Sequence, residues 1–237
     1  MINRGRTLAR QRAGAQRPRP PGALRGKTAA ILGGDSGIGR AVAIAFAKAG
    51  ADVGIIYLND HRSAEETRQA ILRQNVRCVL LAGDVALEGF CRNAVKRIVA
   101  ALGRLDILVN NAAERRPDGE TDLLGMFYLT KAAMPHLAAR GAVINTTAVT
   151  SWDDHARLID DAATTGAIVS FTRSVAPALA DRGVRVNALT PGSLRSLGPR
   201  RAQALDALAP SYVLLAAGDG RLQTGQVLHV KAQQTAA

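Results

Sequence analysis

The run Gly33-Gly34-Asp35-Ser36-Gly37-Ile38-Gly39 separates an apolar segment, Thr28-Ala29-Ala30-Ile31-Leu32, from a stretch in which Ile38, Val42, Ala45 and Phe46 recur at the spacing of one helical face. A strand that enters a helix through glycines is a pattern for binding anions. With no side chains in the way, backbone N–H groups at the helix N-terminus approach a pyrophosphate closely, and the aligned peptide dipoles favour its charge. Gly33, Asp35, Ser36, Gly37, Ile38 and Gly39 are therefore the first candidate dinucleotide contacts.

A second reactive group is acidic: Asp153, Asp154, His155, Asp160 and Asp161 fall in a stretch read as a loop. If Asp122 faced Asp161, mutual repulsion would raise one carboxyl pKa and make an acid/base pair for a non-redox reaction. A solvated acidic loop is the plainer alternative. The cysteines, Cys78 and Cys91, match no metal spacing and are expected as free, packed thiols in a reducing compartment, and no metal site is expected.

The elements that must position these residues alternate from Lys27 onward. Strands are expected at 28–33, 52–58, 77–82, 105–110, 142–146, 184–190 and 225–230, with helices near 37–49, 62–74, 87–102, 122–139, 162–180 and 203–217. Such alternation predicts an α/β fold: one doubly wound, Rossmann-like parallel sheet, with ligands at the carboxyl ends of its strands. The glycine turn, Asp84 and Asn110-Asn111-Ala112-Ala113 would then share one edge. Pro177, inside a helical stretch, is expected to kink or end its helix.

The 237 residues carry a net charge of +12, but residues 1–27 hold eight basic side chains and no acid, leaving 23 basic against 19 acidic beyond them. Residues 1–26, with Pro18, Pro20 and Pro21, are expected as a basic disordered arm, and residues 27–237 as one domain. The arm is either a solvated extension, the favoured reading, or an anion- or RNA-binding or targeting tail; no nucleic-acid partner is expected of the domain. No stretch reaches the roughly 18 apolar residues of a membrane span, and no secretory apolar core is present, so the expectation is a soluble cytoplasmic protein without a membrane partner.

With these residues placed, the chain from about Gly26 to about Val230 resembles the short-chain dehydrogenases/reductases. The resemblance rests on Gly33-x-x-x-Gly37-x-Gly39, Gly83-Asp84-Val85, Leu105-Asp106-Ile107-Leu108-Val109-Asn110-Asn111-Ala112-Ala113, Arg185-Val186-Asn187 with Pro191-Gly192, and Thr224-Gly225-Gln226-Val227. The wording of Gly33–Arg40 and of Gly125-Met126-Phe127-Tyr128-Leu129-Thr130-Lys131 looks most like the bacterial glucose/ribitol-type or aldehyde-reducing branch. The resemblance implies that Asp84, with Val85, meets the adenine, that Asn111 and Ala112 lie beside the cofactor, and that Pro191, Gly192 and Ser196 lie near the carboxamide and pyrophosphate. Leu32 stands where the family has Thr before the turn, which predicts a looser loop and weaker binding. At the end of the second strand an acid would accept from the ribose 2′-hydroxyl and repel a 2′-phosphate. Tyr57 stands there, with Arg40 and Arg62 expected nearby, so NADP is favoured over NAD; a solvated helix face is the alternative for the arginines.

Reduction of a carbonyl puts negative charge on oxygen, which needs a proton donor and preorganised hydrogen bonds. The family supplies them with Asn, Ser, Tyr and Lys. Alignment of Thr121–Gly125, Asn145–Val149 and Leu158–Gly166 with its pattern places Asp122, Ala148, Asp161 and Thr165 at those four positions. An Asp of ordinary pKa near 3.9 is an anion at pH 7, and a Thr is an uncharged substitute for an ammonium. Tyr128 and Lys131 are expected to pack rather than to replace the missing pair. The chain is also short after Asn111 and after Gly192, which predicts a truncated substrate lid and an open pocket. The expected function is an NAD(P)-binding protein derived from an oxidoreductase, with hydride transfer lost or strongly impaired. The alternatives are an active NADP(H)-dependent alcohol, aldehyde or sugar oxidoreductase that uses substitute residues, and an anion- or RNA-binding module acting through the arm. Assembly as a homodimer or homotetramer stays open.

Overall fold

Continuous apolar runs with turn residues at both ends bury both faces of a strand, the signature of a parallel sheet covered by helices. The computed structural model describes residues 22–111, 120–147, 155–192, 201–218 and 223–230. They alternate as β1 (Thr28–Leu32), α1 (Gly37–Lys48), β2 (Asp52–Tyr57), α2 (His61–Leu72), β3 (Cys78–Ala82), α3 (Glu88–Leu102), β4 (Leu105–Asn111), α4 (Glu120–Ala133), β5 (Leu137–Thr146), α5 (His155–Ala180), β6 (Arg185–Pro191), α6 (Arg201–Ala217) and β7 (Val227–Val230). The seven strands form one sheet in the order β3-β2-β1-β4-β5-β6-β7, and every neighbouring pair is parallel. Order reverses between β1 and β4, and the glycine turn lies at that crevice, where open α/β sheets bind ligands.

Two apolar layers cover the sheet. On one face Ile31, Val53, Ile55, Ile107 and Val109 meet Val42 and Phe46 of α1 and Leu208 and Tyr212 of α6. On the other, Ala30, Ile56, Leu108 and Val186 meet Ile98 of α3, Leu129 of α4 and Ala176 of α5. Polar side chains add a tie inside the second layer. Asn110 Nδ2 donates to Thr130 Oγ1 (3.0 Å) and Asn145 Oδ1 (2.8 Å), and Asn145 Nδ2 donates to Thr172 Oγ1 (2.9 Å), so β4, β5, α4 and α5 share one buried chain. Among the described residues no helix is long and apolar enough to cross a membrane.

Four boundaries differ from the sequence expectation by more than two residues. Helix α4 ends at Ala133 instead of near 139, because Pro135 follows and Leu137 is drawn into the sheet opposite Leu105. β5 therefore starts at Leu137 rather than 142, through an irregularity in which Arg140 takes φ 61°. Helix α5 begins at His155 rather than 162, so His155, Asp160 and Asp161 belong to a helix and not to an acidic loop; Asp153 and Asp154 lie outside the described residues. The helix also runs through Pro177 to Ala180, with Pro177 on its exposed side. Residues 22–26, counted with the arm by composition, form a turn that buries Leu24 fully and joins it to α1 through Leu24 N–H to Ala49 O (3.0 Å). The remainder of the arm lies outside the described residues.

Candidate cofactor-binding site

The turn between β1 and α1 is built by three glycines with different duties. Gly33 takes φ 67°, and its N–H donates to Ile56 O of β2 at 2.8 Å. A Cβ on Gly39 would overlap the Gly33 carbonyl and lie 3.0 Å from Asn111 Nδ2, so only glycine lets the helix start this close to the strand. At Gly37 the backbone takes φ 50°, and a Cβ there would meet nothing within 4 Å, which makes it the open side of the turn. Ser36 stands at the N-cap in extended geometry, and its side chain makes no capping bond. Ile38 faces the core, as its helical spacing requires.

Asp35 closes the turn from the other side. Its carbonyl accepts from Arg40 Nε (2.9 Å) and Thr67 Oγ1 (3.1 Å), so α1 and α2 hold the loop that Leu32 was expected to leave loose. Burial raises the Asp35 carboxyl above its ordinary pKa and the nearby Asp60 charge adds to this, while a backbone hydrogen bond and Arg40 oppose it. Arg40 also reaches Ser63 O (3.0 Å) and lies 3.5 Å from Glu66. Arg62, by contrast, is 91% exposed and pairs with Glu66, so of the two arginines expected at the ribose end only Arg40 reaches the turn.

Tyr57, the last residue of β2, is buried, and its hydroxyl lies 3.0 Å from His61 Nδ1 at the start of α2. Burial and the charges of Asp35 and Glu65 raise its pKa. Asp84 follows β3; its Oδ1 accepts from Ala86 N–H at 2.9 Å, and Val85 beside it packs where a Cβ on Gly125 would lie 2.5 Å from its Cγ2. At the end of β4, Asn111 is 1% exposed, and both atoms of its side-chain amide lack a hydrogen-bond partner. Thr165 Oγ1 of α5 and Thr190 Oγ1 of β6 are likewise buried without partners. Pro191 pairs with Val230, and Gly192 N–H donates to Val230 O (2.9 Å).

Buried polar atoms in folded proteins nearly always have partners, so an unpaired amide set against a glycine cradle calls for a ligand. The cradle fits the diphosphate of a dinucleotide: Gly33, Gly37 and Gly39 provide its backbone, and Asn111 stands beside it. Of the remaining expected site residues, Ala112, Ala148 and Ser196 lie outside the described residues, and Asp122 and Asp161 are placed in α4 and α5 by their backbone alone. The segments after Asn111 and Gly192, where a shortened lid was expected, also lie outside them. The His61 and Thr67 contacts were not anticipated; the spacing of Ser63 and Thr67, one helical turn apart, was the available signal for the second.

The family model of the short chain dehydrogenases matches residues 27–202. The chain belongs to that family. An uncharacterized oxidoreductase of Bacillus subtilis (strain 168), YhdF, is 47% identical over 244 residues, covering 90% of this chain and 84% of that protein. NADPH-dependent aldehyde reductase 1, chloroplastic, of Arabidopsis thaliana is 36% identical over 249 residues, covering 89% and 86%. Both alignments are longer than the whole 237-residue chain they partly cover, so both relatives hold segments that this family member lacks. A short-chain dehydrogenase from Burkholderia cenocepacia J2315, solved in complex with NADP, has a TM-score of 0.78 and 28% identity, over 90% of this chain and all of that one. The family motifs outside the turn hold the far edge of the sheet: Val186 N–H donates to Thr224 Oγ1, and Gln226 N–H to Asn187 Oδ1, each at 2.9 Å.

Proposed function

We propose that this chain binds an NAD(P) dinucleotide at the β1–α1 turn and has lost, or nearly lost, hydride transfer. The contacts of this reading are Gly33, Asp35, Ser36, Gly37, Ile38, Gly39, Tyr57, Asp84, Val85, Asn111, Ala112, Pro191, Gly192 and Ser196. Bound there, the dinucleotide would supply a hydride acceptor or donor. The positions that would manage the proton are taken by Asp122, Ala148, Asp161 and Thr165, where the family has Asn, Ser, Tyr and Lys.

The observation that carries the reading is where the phenols and ammonium groups lie. All three tyrosines of the chain are accounted for. Tyr57 is engaged with His61 at the end of β2, the ring of Tyr128 packs against Phe127 on α4, and Tyr212 is fully buried with its hydroxyl 2.9 Å from Thr146 Oγ1. The lysines among the described residues are similarly committed or remote. Lys27 donates to the carbonyls of Ala216 and Ala217 at the end of α6, Lys131 pairs with Glu88 at 3.1 Å, and Lys48 and Lys96 are exposed on α1 and α3. Among the described residues no tyrosine hydroxyl is joined to a lysine ammonium.

NADP is favoured over NAD, supported by Arg40 at the turn and by Tyr57, which bears no charge to repel a 2′-phosphate. The experiment is NADPH oxidation by the purified protein over a panel of aldehydes and sugars, with calorimetric titration of NADP and NAD beside it. The expected result is binding without turnover; a rate above about 1 s⁻¹, ordinary for an enzyme, refutes the loss of catalysis.

A further inference from the structure

We infer that His61 sets the preference for a 2′-phosphorylated nucleotide: paired with Tyr57, it supplies a hydrogen-bond donor at the place where an acid would select the unphosphorylated ribose. The inference rests on the proposed NADP site and adds a specificity-determining residue to it. The sheet supplies the position. Leu32 pairs with Ile56 in register, Gly33 N–H donates to Ile56 O, and Tyr57 is the next residue of β2, so its phenol lies by the glycine turn, close enough for the Asp35 charge to raise its pKa. In dinucleotide-binding α/β folds this strand end serves the adenosine ribose. His61, the first residue of α2, is exposed there. Its Nδ1 lies 3.0 Å from the Tyr57 hydroxyl, and its ring meets the phenol edge-on, with centroids 5.6 Å apart and planes at 88°.

The protons of this pair decide what it can hold. A neutral imidazole carries one N–H and a phenol one O–H. Burial and the nearby charges of Asp35 and Glu65 keep the Tyr57 phenol protonated at neutral pH. One proton fills the bond between the two rings, whichever ring donates it, and the other remains for a ligand, on Nε2 or on the phenol oxygen. A carboxylate in this place would have only acceptors to offer. Such a donor bonds a phosphate more strongly than a hydroxyl, because the charge on the acceptor roughly doubles the strength of the bond. The neighbouring charged groups are engaged within the fold: Arg40 with Asp35 O, Ser63 O and Thr67 Oγ1, Arg62 with Glu66, and Asp60 Oδ1 with Ser63 N–H at the start of α2. The Tyr57–His61 pair, by contrast, has one proton more than its own bond uses.

The test is calorimetric titration of the full chain and two variants with NADP and NAD, read as the ratio of the two dissociation constants. His61→Ala, a change at an exposed position, is expected to lower the preference for NADP by about tenfold while NAD stays within about threefold of the parent. His61→Gln, whose amide can accept from Tyr57 and still donate, is expected to keep the ratio within about threefold of the parent. Equal weakening of both nucleotides by His61→Ala, or an unchanged ratio, overturns the inference and leaves NADP binding intact. A parent that binds neither nucleotide, or that prefers NAD, overturns the inference and the NADP reading together. Proton NMR reads contact separately. The imidazole resonance that is absent from His61→Gln is expected to shift in the parent on saturation with NADP, and a resonance that stays in place overturns the assignment of His61 to the ligand.

Discussion

Asp35 and Arg40 show how far one residue can be read. The sequence placed Asp35 in the phosphate turn and Arg40 near Tyr57 at the ribose end, but composition gave no hint that Arg40 would spend its guanidinium on the carbonyls of Asp35 and Ser63 and the hydroxyl of Thr67. Arg40→Ala removes charge-assisted bonds that are worth about 1.5–3 kcal/mol in such settings. The variant is expected to melt earlier and to bind NADP more weakly, with a smaller loss for NAD; thermal unfolding and titration measure the two effects. The Asp35 carboxyl gives a pH dependence of definite sign. Because burial raises its folded pKa, the folded state holds more protons than the unfolded state between the ordinary carboxylate value and the raised one, and stability falls as pH rises through that window. Asp35→Asn is therefore expected to raise the melting temperature at pH 7. The gain should shrink as pH is lowered through the carboxylate range, and a gain that grew on acidification would reverse the assignment of burial as the cause.

Among the elements, those with a strict apolar run or a clear turn were legible from residue types, and those set by tertiary pairing were not. β1, β2 and β4 were read to within a residue because all of their positions are buried and apolar runs announce that. The α4–β5 junction was missed because Leu137, the residue that starts β5, is chosen by its partner Leu105 across the sheet, and no local pattern marks it. The same junction holds Arg140 at φ 61°, a conformation that costs an L-residue about 1–2 kcal/mol. Arg140→Gly is expected to stabilise the fold by up to about 1 kcal/mol after the entropic cost of glycine is subtracted, read as a shift in denaturant midpoint. Asn110 and Asn145 were legible as a motif but not as a network, since Thr130 and Thr172 come from helices far along the chain. Thr172→Val leaves Asn145 Nδ2 without its acceptor in the core and should cost about 1–3 kcal/mol, with the loss appearing in chemical denaturation.

At the scale of the molecule, the sheet keeps the fold of the short-chain dehydrogenases, and the proposed loss of hydride transfer concerns the carboxyl ends of its strands. Basic side chains at the opposite edge show what the fold still maintains. Arg77 binds Asp52 and the last carbonyls of α3, Arg182 binds the carbonyls of Met134 and Leu137 beyond α4, and Lys27 and Arg185 bind the end of α6. Cations at helix C-termini satisfy carbonyls that have no partner within the helix, so part of the basic excess of the domain is structural. The proposed catalytic deficit can be tested at the same scale by introducing the family residues together: Asp122→Asn, Ala148→Ser, Asp161→Tyr and Thr165→Lys. Groups that act as a unit are strongly non-additive, so each single change is expected to give no measurable carbonyl reduction. A general acid is worth about 10² to 10⁴ in rate and a carbonyl-polarising donor about 10² to 10³, which places the gain of the fourfold variant at no less than about a hundredfold over the parent. NADPH oxidation with an aldehyde reads this directly. A folded, nucleotide-binding fourfold variant with no gain would move the lesion from the four side chains to the segments that the relatives have and this chain lacks.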